Sequence, residues 1–309
     1  MIHPDLRHVG RSLAACLLAV GLTSGGREAP PFTLVLAGDI NLARGAARAQ
    51  DQHWPDTFGA VREVFQGDLV LANLESPLTD QPKVTAGIDL RAPLAAVQAL
   101  TPFTHLSVEN NHALDGGERG QHQNMLLLRA QQLTPVTRQP VVQSFRGLNV
   151  ALLSYLDDGS PPPLAQVQAA RQQAHIVIVM PHWGAEYNAV TTRQRTQARL
   201  LAQAGATLIV GSGPHVLQGH ERIGDTLVLY SLGNLLFDQP YPEAWLGAVV
   251  RVQFRGAQVG GTQVKGTQLS ACAVPTLTRS GRVALAQGLN FQKALSRLNL
   301  QSCPKQGRM

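Results

Sequence analysis

Six stretches of consecutive apolar residues constrain this chain most, because each of them closes on a cluster of polar side chains. They read Leu34-Val35-Leu36-Ala37-Gly38-Asp39, Leu69-Val70-Leu71-Ala72-Asn73-Leu74-Glu75, Leu106-Ser107-Val108-Glu109-Asn110-Asn111-His112, Ile176-Val177-Ile178-Val179-Met180-Pro181-His182, Leu208-Ile209-Val210-Gly211-Ser212-Gly213-Pro214-His215 and Leu227-Val228-Leu229-Tyr230-Ser231-Leu232-Gly233-Asn234. A strand that is apolar at nearly every position is buried on both faces, the habit of sheets covered by further layers. Segments with helix character lie between the runs, so the β-α-β-α pattern predicts a layered α/β fold with helices outside. Strands that run largely in one direction place their C-terminal ends along one edge, where open α/β sheets bind ligands. The six polar clusters are expected to converge there.

The intervening segments give narrower expectations. Helices are predicted over Trp54 to Phe65, with Phe58, Val61, Val64 and Phe65 near one face, and over Leu94 to Leu100, opened by Pro93. Two more follow over Gln121 to Gln132 and over Thr191 to Ala204, the latter stopped by Gly205. Val141 to Leu153 reads as a strand pair turned at Arg146-Gly147, and Pro161-Pro162-Pro163 as a joint inside one fold, since strands of the same kind continue on both sides. From Gly247 onward, alternation such as Val250-Arg251-Val252-Gln253-Phe254 predicts antiparallel, partly exposed strands, with turns at Gly256, Gly260-Gly261 and Gly266 and a last helix over Phe291 to Leu298.

The first 26 residues are of another kind. Arg7 and Arg11 precede the apolar Leu13 to Leu22 and the small residues Thr23 to Gly26, the order of a secretory signal. Export is expected, with cleavage near Gly25 to Ala29; an uncleaved anchor is the alternative, as is lipidation at Cys16, although there the apolar run follows the cysteine. Cys272 and Cys303 then remain in a compartment where disulfides persist, as a bonded pair or as two free thiols. Formal charge is +6 for the whole chain and stays basic without the signal, which suits polyanions. Lys/Arg runs longer than two are absent, so nothing marks nucleic-acid binding.

Carboxylate, amide and imidazole groups held at the mouths of rigid elements are what divalent transition metals take. Asp39, Glu75, Asn111, His182 and His215 form such a set, each at or close behind an apolar run. Metal ions there would act as Lewis acids toward a phosphate-like or acyl-like group. His112, beside Asn111, is a candidate general acid, because an imidazole titrates near neutrality. Singly, each residue has a plainer reading as a cap or a structural histidine. Trp183 is expected to pack, and His220 follows His215 closely enough to be weighed as a substitute ligand.

Together the blocks Gly38-Asp39-Ile40-Asn41-Leu42, Asn73-Leu74-Glu75-Ser76-Pro77-Leu78, Asn110-Asn111-His112-Ala113-Leu114-Asp115, His182-Trp183-Gly184-Ala185-Glu186-Tyr187, Pro214-His215-Val216-Leu217-Gln218 and Tyr230 to Asp238 resemble, in order, the signatures of the CapA family of capsule and poly-γ-glutamate synthesis proteins. The resemblance spans about residues 32 to 300. It implies a calcineurin-like metallophosphatase fold, a single-domain β-sandwich of mixed sheets flanked by helices over residues 30–303, behind a signal at 1–26. It implies metal ligands at Asp39, Glu75, Asn111, His182 and His215, a proton donor at His112 supported by Asn111, and substrate contacts at Asn73, Glu186, Tyr230, Ser231 and Asn234. The implied cofactor is one or two divalent ions of Mn, Fe, Zn or Mg. The implied partners are an anionic extracellular polymer such as poly-γ-glutamate and membrane-bound synthesis or export components. Two departures stand out: Gly213 replaces a histidine of the family's Gly-x-His-Pro-His, and Glu109 replaces an alanine before Asn110. A metal-dependent hydrolase, a polymer-binding scaffold with a degenerate metal site, and a general periplasmic phosphoesterase all remain open at this point.

Overall fold

The computed structural model describes residues 31–51, 53–145, 147–255 and 268–304. The signal-like segment, Arg146 and the turns at Gly256, Gly260-Gly261 and Gly266 lie outside the described residues. In chain order the strands are β1 (Phe32–Ile40), β2 (Leu69–Leu74), β3 (His105–Ser107), β4 (Thr134–Val136), β5 (Val141–Phe145), β6 (Leu148–Leu156), β7 (Ile176–His182), β8 (Leu208–Val210), β9 (Leu217–Ile223), β10 (Thr226–Leu232), β11 (Asn234–Leu236), β12 (Leu246–Arg255), β13 (Gln268–Arg279) and β14 (Arg282–Leu285). The α-helices are α1 (Arg44–Gln50), α2 (Gly117–Ala130), α3 (Leu164–Gln173), α4 (Thr192–Ala204) and α5 (Gly288–Leu298).

All six apolar runs are strands, divided between two mixed sheets. One sheet has the order β14-β13-β12-β1-β2-β3-β4, with β11 added beside β1, and the other runs β5-β6-β7-β8-β10-β9. The two-sided burial has a direct cause in the pleat, which sends alternate side chains to opposite faces. Leu34 and Leu36 of β1, and Ile176, Ile178 and Met180 of β7, enter the core between the sheets. Val35 and Ala37 face the outer layer of the first sheet, with Trp54, Phe58 and Phe103. Val177 and Val179 face that of the second, under Val167 of α3 and Ala198 and Leu201 of α4. The result is one α/β domain, a sandwich of sheets flanked by helices.

Helix expectations hold where capping chemistry is strong. Thr191 caps α4 in a reciprocal box with Gln194, and Gly205 ends it in a left-handed conformation. Over Trp54 to Phe65 the chain instead makes two short 3₁₀ turns, Trp54–Asp56 and Gly59–Phe65, and Leu94–Leu100 is also 3₁₀. Pro55 and Gly59 interrupt the first stretch and Pro102 follows the second, and 3₁₀ geometry is the usual outcome for short pieces. Cys272 and Cys303 are bonded, joining β13 to the segment after α5.

Candidate metal centre

Strand register assembles the site before any loop is considered. In the first sheet β1 lies between β11 and β2, with Asp39 opposite Asn234 on one side and Asn73 on the other. A register shift between Leu36 and Asp39 re-aims the end of β1 toward β2. Gly38 permits this approach, because a Cβ there would stand 1.8 Å from the carbonyl oxygen of Gly233. The second sheet supplies His182, the last residue of β7, and Ser212 to His215, just past β8; His182 and Ser212 are joined by a parallel bridge.

These ends meet in a fully buried cluster. The Asn73 amide donates to Asp39 Oδ1 at 2.9 Å, with Glu75 Oε2 at 3.5 Å and His182 Nδ1 at 3.4 Å. His215 Nδ1 lies 3.2 Å from Asp39 Oδ2, and its Nε2 lies 3.5 Å from Glu75 Oε1. Single ligand atoms of Asp39, Glu75 and His215 all fall within 4.8 Å of one another. His182 adjoins this trio through Asn73, with its Nδ1 3.2 Å from Ser212 Oγ. His215 holds a left-handed backbone (φ 58°), a conformation that costs a non-glycine residue energy and gathers at functional sites. Asn234 Oδ1 lies 3.0 Å from His215 Nδ1 and fixes the ring.

Burial and pairing oppose each other here. Burial pushes the Asp39 carboxyl up, but the hydrogen bond and charge of His215 outweigh it and hold the group below its ordinary range. Burial raises Glu75. Burial works against the charged form of His215, yet the Glu75 and Asp39 carboxylates keep it well above the usual imidazole range, while burial pushes His182 down to about 4. Glu75 Oε1 is buried with no hydrogen-bond partner among the described residues. An orphaned carboxylate oxygen beside a second carboxylate and an imidazole fits a divalent cation.

Several expected site residues lie elsewhere. Asn111 is exposed, and the inward position belongs to its neighbour Asn110, whose amide donates to Asn73 Oδ1 at 3.2 Å and to the carbonyl of Leu74 at 2.9 Å. Tyr230 faces the outer core, stacked on Trp183, with its hydroxyl donating to Glu221, so it does not line the centre. Ser231 is buried and its hydroxyl accepts from Gly233 N within the turn. Glu186 is exposed but close enough to act electrostatically on Glu75 and His215. Glu109 accepts from Arg138 N, and His220 Nδ1 bonds the Leu298 carbonyl. Gly213 N donates to Asp39 Oδ2 at 3.2 Å. His112 Nδ1 is engaged by the buried Asp115 carboxylate at 2.9 Å. Asp115, Asn110 and Ser212 carried no signal of their own in the sequence beyond lying inside the polar blocks.

Residues 33–239 match the model of the bacterial capsule synthesis protein family PGA_cap. The chain belongs to that family. It is 31% identical over 261 residues to the PGA biosynthesis protein CapA of Bacillus subtilis (strain 168), an alignment covering 74% of this chain and 69% of that one. It is 29% identical over 268 residues to the capsule biosynthesis protein CapA of Bacillus anthracis, covering 74% and 65%. Among solved structures it is similar to a phosphatase from Mycoplasma pneumoniae, with a TM-score of 0.52 at 12% identity over 80% of this chain and 94% of that one. This PGA_cap member therefore shares its fold with that phosphatase, and the trio Asp39, Glu75 and His215 suits a divalent metal. No helix among the described residues is long and apolar enough to cross a membrane.

Proposed function

We propose that this chain is exported and acts at the cell envelope on an anionic polymer such as poly-γ-glutamate, together with membrane-bound synthesis or export components. Its metal site would serve hydrolysis or transfer at a phosphoester or amide bond. The observation that carries the reading is Glu75 Oε1, buried beside Asp39 and His215 without a hydrogen bond among the described residues. Asp39, Glu75 and His215 would hold the ion, which when bound supplies a Lewis acid. His182 stands beside them as a neutral imidazole. Asn73 and Asn110 keep the carboxylates apart and aimed. Because the Asp115 carboxylate occupies Nδ1 of His112, the ring is oriented with Nε2 left to carry a proton to the leaving oxygen.

Gly213 favours a second reading, a polymer-binding scaffold whose metal site has decayed. In place of a family histidine the chain offers Asp39 only a backbone N–H, which donates to the carboxylate and cannot ligate a cation.

Elemental analysis of protein purified without chelators, beside Glu75→Gln and His215→Ala, separates the two. Metal in the parent protein and its loss in both variants supports the working site; screening of phosphodiesters and γ-glutamyl oligomers then identifies the bond. A parent protein that takes up no divalent ion refutes it in favour of the scaffold.

A further inference from the structure

One cation stands at the site without a role in holding metal. Arg44, the first residue of α1, has a left-handed backbone (φ 51°), which costs an L-residue about 1–2 kcal/mol. Three donors hold it there by converging on a single carboxylate: Asp238 accepts from Arg44 Nη2, from Asn41 Nδ2 at 3.0 Å and from Gly45 N at 2.7 Å. A Cβ at position 45 would stand 2.7 Å from the same carboxylate, so the clamp also requires that glycine. The side chain lies over the Phe237 ring, 5.9 Å from its centre, and that ring lies 4.9 Å from the imidazole of His215. The guanidinium is thus one ring away from a candidate ligand.

We propose that Arg44 is the substrate-recognising cation of this site, binding an oxyanion of the substrate, a carboxylate or a phosphate, beside the metal trio. This rests on the metal-site reading above and adds to it the substrate's charge and the residue that reads it. A guanidinium has five N–H donors in a fixed fork. Arg193, a structural arginine of this chain, places Nε and Nη2 on Asp157 and Nη2 also on the Ser160 carbonyl. Among the described residues Arg44 is hydrogen-bonded only through Nη2: its Nε is buried without a partner, Nη1 takes none, and the side chain is 32% exposed. The end-on pair, Nη1 with the second N–H of Nη2, is left free at this partly open position and matches the two-point geometry of a carboxylate or phosphate. The need is also electrostatic, because an anion approaching Asp39 and Glu75 meets two carboxylates, and Arg44 is among the charges that Glu75 feels. The same His215 ring has the half-exposed Tyr187 6.1 Å away, itself in edge contact with Tyr241 at 4.9 Å. Those rings give the chain of an extended substrate a surface to lie on once its anionic group is fixed.

The test uses the full-chain protein loaded with Mn²⁺ and two calorimetric titrants, inorganic phosphate and a short γ-glutamate oligomer. Arg44→Gln should keep the metal content and melting cooperativity of the parent while weakening the recognised anion by about tenfold or more. Arg44→Lys, which keeps the charge but loses the fork, should fall between. Weakening of phosphate alone identifies a phosphoester, and of the oligomer alone a polymer carboxylate. Unchanged affinity for both anions in folded, metal-loaded Arg44→Gln overturns the proposal and leaves Arg44 as an anchor for Asp238. A parent protein that takes up metal but binds neither anion overturns it as well. A parent protein without metal refutes the reading of the previous subsection, and the same titrations on it still decide Arg44.

Discussion

Cutting the bond between Cys272 and Cys303 should lower stability while leaving the metal centre intact. The bond closes a sequence separation of 31, a stretch holding the end of β13 from Cys272, β14 and α5. In the chain-entropy account, a loop of that length removes about 12 cal/mol/K from the unfolded chain, or about 3.7 kcal/mol at 25 °C. The folded chain depends on the bond much less. Ala273 N donates to the Gln301 carbonyl and Cys303 N to that of Ala273, at 2.9 and 3.0 Å, and Ala294 and Leu298 of α5 are seated in the core between the sheets. The tail therefore stays docked when the sulfurs part, and the loss acts on the unfolded side. With a urea slope of about 3 kcal/mol/M, suited to a chain of this size, the unfolding midpoint should fall by about 1.2 M. The assay is urea unfolding followed by tryptophan fluorescence and near-ultraviolet dichroism, on oxidised protein, reduced protein and the Cys272→Ala/Cys303→Ala double variant. Reduced and substituted proteins should share a midpoint and keep the native dichroism. A fall of less than about 0.4 M would refute the entropic reasoning, as would a changed native spectrum.

His112→Ala should lower turnover by about 10²- to 10⁴-fold with metal content retained, whereas His215→Ala should remove both; identical behaviour would overturn the division of labour between them. Gly38→Ala should leave little folded protein, since the new Cβ would sit 1.8 Å from the Gly233 oxygen; a soluble variant within about 1 kcal/mol of the parent by urea unfolding would contradict the close approach of β1. Burial lowers His105 to about 4, against about 6.5 in the unfolded chain, so between these values the unfolded state binds more protons. Stability present above pH 6.5 should then be lost as pH falls toward 4, by up to about 3 kcal/mol. Denaturant midpoints across that window should flatten in His105→Gln, and an equally steep profile in the variant would rule His105 out as the source.

The parts of the fold that could be read from the sequence are those with a two-sided or chemically specific signal. Leu34 to Ala37 and Ile176 to Met180 announced strands because both faces meet apolar layers, and Gly205 closed α4 through its capping chemistry. The same alternation would have placed Tyr230 correctly: Leu229 enters the inter-sheet core, so its neighbour turns outward. Asn111 lies outside the cluster for a different reason. β3 ends at Ser107, and beyond a strand end the period of two no longer says which of two adjacent asparagines points inward. Asp238 closes the last polar block, but Arg44 lies outside the blocks, and no local pattern links the two across 194 residues. The distribution of blocks between two sheets was equally hidden, because crossover connections leave no trace in the composition of the strands they join.

Asp39 and Glu75 come from the first sheet and His182 and His215 from the second. Neither layer alone can present the whole trio, however well it is formed. The centre is consequently a gauge of the seam between layers: affinity for a cation should appear only when the two sheets have closed on each other. An ion held there would in turn act as a rivet, resisting separation of the sheets while adding little to the strength of either one.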